Sequence, residues 1–312
     1  MLSRIAESLF WIGRLVERAE DVSRMLDVSV HLLLEDWSGT DAELCEALLA
    51  VIGVAHDGDE ELDPRAVLDR LAYDRTSPVW SSLEGARENA RTVREVIPSE
   101  MWVCLNTTYN ALPAQRARAR DAGPSAFFTF VKDRAALLSG LADGTMSHDD
   151  GWRYVVLGRS LERADMTARS LSLFQVVGDR ATAAGALLRS CAAYESFLRT
   201  YRGVLDPGRA TAFLLLDRLF PRSIYSALAV AERQLTDLLP PSDSRLGIVD
   251  PALLALGRMR TNLEFSSADE VMDDLPRRIE AIENGCAVVT DALAERFFRA
   301  ASTIEWVSGA VS

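Results

Sequence analysis

An eight-residue motif occurs twice in this chain of 312 residues, at positions 13–20 and at positions 158–165. The first copy reads GRLVERAE and the second reads GRSLERAD, so the two lie 145 positions apart. At the same spacing Arg24 aligns with Arg169, just beyond each copy. A constant shift of this kind is the signature of an internal repeat. The sequence therefore predicts two tandem copies of one structural unit.

The repetition continues beyond this motif. The segment DRTSP at 74–78 is echoed by DRLFP at 217–221, with a slightly shorter spacing that a loop-length difference explains. The seam between the copies falls near 142–145, which predicts one repeat over 1–146 and a second over 147–312. Helical repeats often bury their apolar faces against each other, so we expect the two repeats to form one cooperative unit.

Helical periodicity recurs in long segments of the chain, whereas alternation with a period of two residues is almost absent. We therefore predict an all-α fold, a helical bundle built from two tandem repeats related by a pseudo-twofold axis. Acidic, Gly and Pro residues predict loops at 56–61 and at 240–244. The predicted helices span 3–35, 41–54, 64–72, 79–96, 99–112, 125–142, 148–176, 180–203, 208–218, 222–238, 251–263 and 267–303.

Composition restricts the class of protein and of partner. Hydrophobic residues make up 48% of the chain and charged residues 26%, which is typical of a globular protein with a sizeable core. The formal net charge of −12 argues against binding to nucleic acid or to an anionic membrane surface, because both need a basic protein surface. Lys132 is the only lysine, which excludes a phosphate-binding loop of the Gly-Lys-Ser/Thr type.

The cysteines and the N-terminal residues both favour a cytoplasmic protein. The cysteines lie far apart in apolar helical segments, as expected for buried, reduced thiols in a reducing compartment. Charged residues interrupt the apolar run at the N-terminus, unlike in an export signal, and no segment approaches the ~18 apolar residues of a membrane helix. The cysteines are Cys45, Cys104, Cys191 and Cys286.

On a helical wheel the charged residues of the first motif share one face. Counted at about 100° per residue, Arg14, Arg18 and Arg24 fall within about a third of the circumference. Glu17 lies one turn from Arg14 and one turn from Asp21, which predicts a ladder of ion pairs along a single helix. Such pairs on a solvated face contribute only about 0.2–0.5 kcal/mol each.

The second motif has less polar surroundings than the first. Met166 stands where the first copy has Asp21, so apolar side chains flank this copy of the ladder. A half-buried Glu162 would then need Arg159 or Arg163 as its partner, because an uncompensated buried carboxylate is very costly.

A sharper interpretation places the two ladders face to face across the pseudo-twofold axis, where they build an interior polar seam. The seam is either a structural network that fixes helix register, which we favour, or a pocket for a carboxylate, phosphate or zwitterionic group. A plain solvated face is the third interpretation. We refer to these residues as the Arg/Glu seam: Arg14, Glu17, Arg18, Arg24, Arg159, Glu162, Arg163 and Arg169.

Other candidate sites are weaker. Arg87, Asn89 and Arg91 lie in a charge-dense segment that favours a solvated helix face, although an amide between arginines can orient a ligand carboxylate. The histidines His31, His56 and His148 lack the helical spacing of a metal site. No motif for a nucleophile elbow or a dinucleotide loop occurs, so we assign no catalytic residue, no metal and no cofactor.

Several ordered motifs together resemble the bacterial Alpha-E domain family, a predicted all-helical family named for its Glu-Arg motif. The resemblance rests on residues 3–24, on ARENAR at 86–91, on IPSEMW at 97–102, on 158–165 and on FPRS at 220–223. It covers essentially the whole chain. The main departure is a Val-Val pair in the second copy, at the position of Phe10 and Trp11 in the first.

The resemblance implies a partner more clearly than a reaction. Members of this family are typically encoded beside, or fused to, a circularly permuted ATP-grasp ligase, and often a transglutaminase-like protein, whereas the family has no established catalytic residues. We therefore expect a non-catalytic helical partner of an ATP-grasp amide or peptide ligase, which binds an amino-acid, peptide or other anionic group at the Arg/Glu seam. The alternative is an enzyme that uses Glu17 or Glu162 as acid or base.

Overall fold

The computed structural model describes residues 2–34, 40–56, 62–176, 181–241 and 245–298. Within these ranges every regular element is a helix and no strand occurs, so the predicted all-α class is confirmed. No helix in the described part of the chain is long and apolar enough to cross a membrane. The tandem-repeat organisation and its boundaries at 1–146 and 147–312 stay predictions.

Fourteen α-helices occur in the described residues, and π-helical turns follow two of them. The turn Asp69–Tyr73 continues α3, and the turn Ala294–Phe298 continues α14. The helices are α1 Ser3–Leu34, α2 Asp41–Ile52, α3 Pro64–Leu68, α4 Pro78–Thr92, α5 Ser99–Ala122, α6 Ser125–Thr145, α7 Asp150–Val176, α8 Ala181–Ser190, α9 Tyr194–Thr200, α10 Pro207–Leu216, α11 Ile224–Leu238, α12 Pro251–Glu264, α13 Ala268–Asp273 and α14 Leu275–Leu293.

The helix starts are set by local capping chemistry. Ser77 accepts a hydrogen bond from the backbone N–H of Trp80 and thereby caps α4, and Ser223 caps α11 in the same way. Asp206 and Asp250 cap α10 and α12, each followed by a proline in the first turn. These side chains satisfy backbone donors that have no partner inside the helix.

The two longest helices, α1 and α7, cross at the centre of the fold. Helix α1 also packs against α4, α6 and α8, and α7 also packs against α11, α14 and α2. Each central helix is thus covered on several sides, which is why apolar residues occur around most of its circumference. The segment that carries each motif therefore lies in the core.

Glycine makes the crossing of α1 and α7 possible. A Cβ atom at Gly13 would overlap the backbone carbonyl oxygen of Val155, and a Cβ atom at Gly158 would overlap that of Phe10. The obstacle is backbone in both cases, and it cannot rotate away. The glycine that opens each copy of the motif therefore sets the distance between the two helix axes.

Three predicted helices differ from the structure. Helix α5 continues through Pro113 to Ala122, with that proline on an exposed face. The segment predicted as one helix over 180–203 divides into α8 and α9. There Ala192 adopts a φ of 52°, and the backbone N–H of Ala193 bonds to the carbonyl of Leu188, which closes α8 without the usual glycine.

The segment predicted as one helix over 267–303 is divided as well. Helices α13 and α14 meet at Asp274, whose φ of −138° is not helical, and Pro276 lies in the first turn of α14. Proline is tolerated in the first turn of a helix but is disfavoured in its interior, because it lacks a backbone N–H donor, and this explains the break. Positions 299–303 lie outside the described residues, as do most of the predicted loop at 56–61 and positions 242–244 of the second predicted loop.

Candidate functional site

Glu162 lies on α7 and has no exposed surface. It accepts hydrogen bonds from Arg14 Nε at 2.6 Å and from Arg18 Nε at 2.5 Å, and both arginines belong to α1. The predicted partners Arg159 and Arg163 are wrong. Because α1 crosses α7 at this point, arginines of the crossing helix face Glu162 more directly than arginines of its own helix.

Glu17 occupies the corresponding position on α1 and is 1% exposed. Arg163 of α7 donates to it from Nε at 2.6 Å and from Nη2 at 3.0 Å, and Arg222 Nη1 lies 3.0 Å from the same carboxylate. The predicted ladder between Glu17 and Arg14 along α1 is therefore wrong. Each motif thus supplies at least one arginine that neutralises the glutamate of the other.

Arg222 was missed by reasoning from the motif alone. It lies just before Ser223, the cap of α11, and donates to Glu20 at 2.6 Å and to Asp21 at 2.5 Å as well as pairing with Glu17. One largely buried guanidinium group thus pairs with three carboxyl groups. The FPRS segment at 220–223 contains this arginine, but nothing in its spacing links it to the first helix.

The remaining seam arginines lie away from this centre. Arg24 pairs with Glu20 at 2.8 Å and Arg169 pairs with Asp165 at 3.0 Å, each one turn along its own helix. Arg159 pairs instead with the half-exposed Asp143 at 3.2 Å. The structure therefore brings together Arg14, Arg18 and Glu162, and separately Glu17 and Arg163, while Arg24, Arg159 and Arg169 lie at the edges.

Burial raises the pKa of a carboxyl group, whereas neighbouring arginines lower it. The balance of the two effects differs between Glu17, Glu162 and Asp21. Burial opposes ionisation of Glu17, but Arg163 and Arg222 outweigh it and lower the pKa of this group from 4.5 to about 2. The pKa of Glu162 is also lowered, since Arg14 and Arg18 outweigh its burial. Burial, with the charges of Glu17 and Glu20, raises the pKa of Asp21 to about 8 against the effect of Arg222.

Asp21 makes fewer hydrogen bonds than Glu17 or Glu162. Its Oδ1 accepts a hydrogen bond from Arg222, whereas its Oδ2 is buried and has no hydrogen-bond partner in the described part of the chain. The oxygen without a partner favours the protonated form, in agreement with the raised pKa of this group. The pKa values of the buried carboxyl groups are therefore shifted in both directions.

The secondary candidates make contacts of their own. Arg87 donates to Asn106 at 2.9 Å, and Glu88 accepts from both Arg87 and Arg91. The amide nitrogen of Asn89 donates to the carbonyl of Gly85 within its own helix. Arg87 and Arg91 thus share Glu88 as an acceptor, whereas Asn89 is bound within its own helix.

Two clefts open at the edges of the seam. One has a volume of about 350 Å³ and is lined by Arg18 and Arg169, and the other, of about 470 Å³, is lined by Arg24, Lys132 and Arg189. The seam thus borders solvent at Arg18, Arg24 and Arg169. In the described residues no cluster of three or more His, Cys, Asp or Glu side chains has the geometry to hold a metal ion.

Two Glu-Arg motifs exchange partners inside one helical fold, and a Glu-Arg motif is also the feature that describes the matching protein family. The Alpha-E family model, described as "a predicted alpha-helical domain with a conserved ER motif", matches residues 1–298. The chain belongs to the Alpha-E family. Membership confirms the resemblance carried by the sequence motifs.

Relatives of this Alpha-E chain include an uncharacterized protein of Mycobacterium bovis and uncharacterized proteins of two Mycobacterium tuberculosis strains, CDC 1551 and H37Rv. Each is 26% identical over 320 aligned positions, which cover 93% of this chain and 36% of the relative. The chain thus spans little more than a third of the length of the curated relatives it matches. No solved structure matches it.

Proposed function

We propose that this chain is a non-catalytic helical partner of a circularly permuted ATP-grasp ligase that forms amide or peptide bonds. The supporting observation is the 36% coverage of the mycobacterial relatives, in which an Alpha-E region is joined to a longer stretch of other sequence. A region that is joined to other sequence in its relatives commonly works beside a second protein unit. A transglutaminase-like protein is the second partner that we propose.

The state of the buried carboxylates favours this role over catalysis by the chain itself. A general base works best when its pKa lies near the working pH, whereas the pKa of Glu17 is lowered to about 2. Glu162 is fully buried and bound by two arginines, so a substrate has no route to it without opening the crossing of α1 and α7. The alternative that either glutamate serves as acid or base loses support.

We place the complex in the cytoplasm, where a ligase has access to ATP. The four cysteines are buried and free, which is compatible with a reducing compartment. In this proposal the helical chain contributes recognition of the acceptor molecule or of the ligase, and the ligase contributes ATP and the bond-forming chemistry.

The test is to purify this chain together with the ATP-grasp ligase encoded in the same genome. Size-exclusion chromatography with light scattering should show a stoichiometric complex, and ADP release by the ligase with amino-acid acceptors should rise when the chain is added. Two purified proteins that stay separate at micromolar concentration would overturn the proposal. Turnover by the isolated chain that Glu17→Gln removes would establish the enzyme alternative instead.

A further inference from the structure

Two corners flank the crossing of α1 and α7, and they differ in two side chains. At the first corner Arg222, the residue before the cap of α11, extends to the carboxylates of α1. At the second corner Thr76 is the residue before the cap of α4. Helix α4 packs on α1 as α11 packs on α7, so Thr76 stands at the start of the helix that corresponds to α11.

The exchange of arginine for threonine leaves space at the second corner. Here a cleft of about 350 Å³ opens between α1, α2, α4 and α7. Met166 lines it at the position where the first motif has Asp21, so one carboxylate and one guanidinium of the first corner are both replaced. A volume of this size lies within the range of small-molecule pockets.

The wall of this cleft carries positive charge without a carboxylate. Arg18 and Arg169 line it, and its residues include no Asp or Glu. Arg18 uses Nε and Nη2 on Glu162, and Arg169 uses Nε on Asp165 and Nη1 on the carbonyl of Val51. In the described part of the chain, Nη1 of Arg18 and Nη2 of Arg169 therefore have hydrogens left to donate.

The other walls add hydroxyl groups and apolar surface. Thr76 and Ser81 flank the first turn of α4, whose backbone N–H groups carry partial positive charge. Leu15, Ile52 and Met166 supply apolar contacts on the remaining sides. The combination suits a molecule with an anionic end and an apolar body.

We propose that this cleft binds the carboxylate of a small amino-acid or peptide-like molecule, with Arg18 and Arg169 holding the carboxylate and the apolar wall holding its side chain. Both arginines are already fixed by buried carboxylates, so binding orders little more of the protein. The binding site itself does not depend on the proposed function. Only the identification of its ligand as an acceptor substrate of the ligase rests on that function.

The test uses isothermal titration of the isolated full-length chain with three probes. N-acetyl-L-leucine should bind, and N-acetyl-L-leucinamide, which has the same body without the charge, should bind at least about tenfold more weakly. Inorganic phosphate should also bind more weakly, since it lacks the apolar part. Equal binding of acid and amide, tighter binding of phosphate, or no binding of N-acetyl-L-leucine would each overturn the proposal.

A substitution in the cleft provides a second test, whose Tm measurement does not depend on the choice of probe. Thr76→Glu places a carboxylate within the cleft, and it should raise the Tm by about 2 °C or more over Thr76→Gln while abolishing binding of N-acetyl-L-leucine. Adding Arg169→Gln should remove most of this gain, whereas a gain that comes only from the helix N-terminus would persist. Unchanged Tm and unchanged binding in Thr76→Glu would contradict the assignment.

The same variant separates this inference from the proposed function. Thr76→Glu should still form the complex with the ATP-grasp ligase, because the substitution fills a cleft and leaves the seam intact. If the wild-type chain forms the complex with the ligase but does not bind N-acetyl-L-leucine, only the proposed binding site is overturned. If it binds N-acetyl-L-leucine but forms no complex, only the proposed partner is overturned.

Discussion

Glu162 and Glu17 are buried charges whose neutralising partners come from a distant part of the chain. Removing a carboxylate from water costs several kcal/mol, and only close, well-oriented partners offset this cost. Each glutamate has two guanidinium partners within about 3 Å, and those of Glu162 come from the opposite motif. Such networks contribute more to the choice of one arrangement over others than to net stability.

Replacing Glu162 with Ala should lower the free energy of unfolding by about 3–5 kcal/mol, because Arg14 and Arg18 would lose their buried counter-charge. Equilibrium denaturation in urea measures this change. Glu7→Ala is the matched control, since Glu7 lies on the same helix as the two arginines, is only half-buried, and should change stability by less than about 0.5 kcal/mol. Equal effects of the two substitutions would contradict the network.

The sequence identified most residues of this network, although not Arg222, and it did not predict their pairing. A helical wheel compares positions on one helix, so it proposed Arg14 for Glu17 and Arg159 or Arg163 for Glu162. The true partners depend on where α1 and α7 cross, which is a tertiary property. The presence of Met166 where the first copy has Asp21 was one local sign that this face is buried.

Asp21 should make stability depend on pH. Its pKa is 3.8 in the unfolded chain and about 8 in the fold, so between these values only the unfolded state loses the proton. Stability from this group is therefore full below about pH 4 and falls as pH rises to 8, by at most about 1.4 kcal/mol per pH unit. Asp21→Asn mimics the neutral form and should remove this slope.

Urea denaturation of the wild-type chain and of Asp21→Asn at pH 5.5, 6.5 and 7.5 measures the difference. The contribution of Glu17 is constant over this range, because its folded and unfolded pKa values, about 2 and 4.5, both lie below it. The two stability curves should diverge as the pH rises, with the wild-type chain falling below Asp21→Asn. Parallel curves would mean that Asp21 is ionised in the fold throughout.

At the scale of elements, the crossing of α1 and α7 depends on glycine. Gly13→Ala or Gly158→Ala should each destabilise the chain by about 3 kcal/mol, the upper end of the range for overpacking, because the new methyl group meets backbone. Gly140→Ala in α6 is the control, since nothing lies near its Cβ position and it should gain about 0.5–1 kcal/mol. Thermal unfolding of the three variants decides between strain at the crossing and a loosely packed interface.

Most helices could be predicted from the sequence, because capping residues and apolar periodicity are local signals. The first residues of α4, α10 and α12 follow directly from an N-terminal capping side chain that is followed by proline. The break after α8 was missed because an alanine, not a glycine, takes the left-handed position. Pro276 indicates a break before α14. Helical periodicity continues on both sides of this proline, however, so a single helix was predicted.

At the scale of the whole molecule, the two halves exchange more than ion pairs. Helix α2 of the first half packs on α7, and α8 of the second half packs on α1. Neither central helix therefore has its full set of neighbours within its own half. The internal duplication in the sequence predicts two similar units, but this exchange depends on contacts between them.

We therefore expect neither half to fold alone. Separately expressed fragments 1–146 and 147–312 should each lack a cooperative thermal transition, because Glu17 would lose Arg163 and Glu162 would lose Arg14 together with the apolar surface at the crossing. Co-expression should restore a complex with the circular dichroism spectrum of the intact chain, since the fragments retain complementary faces. A sharp, reversible transition in either isolated fragment would show instead that the halves are autonomous domains, with the reciprocal ion pairs joining two units that have already folded.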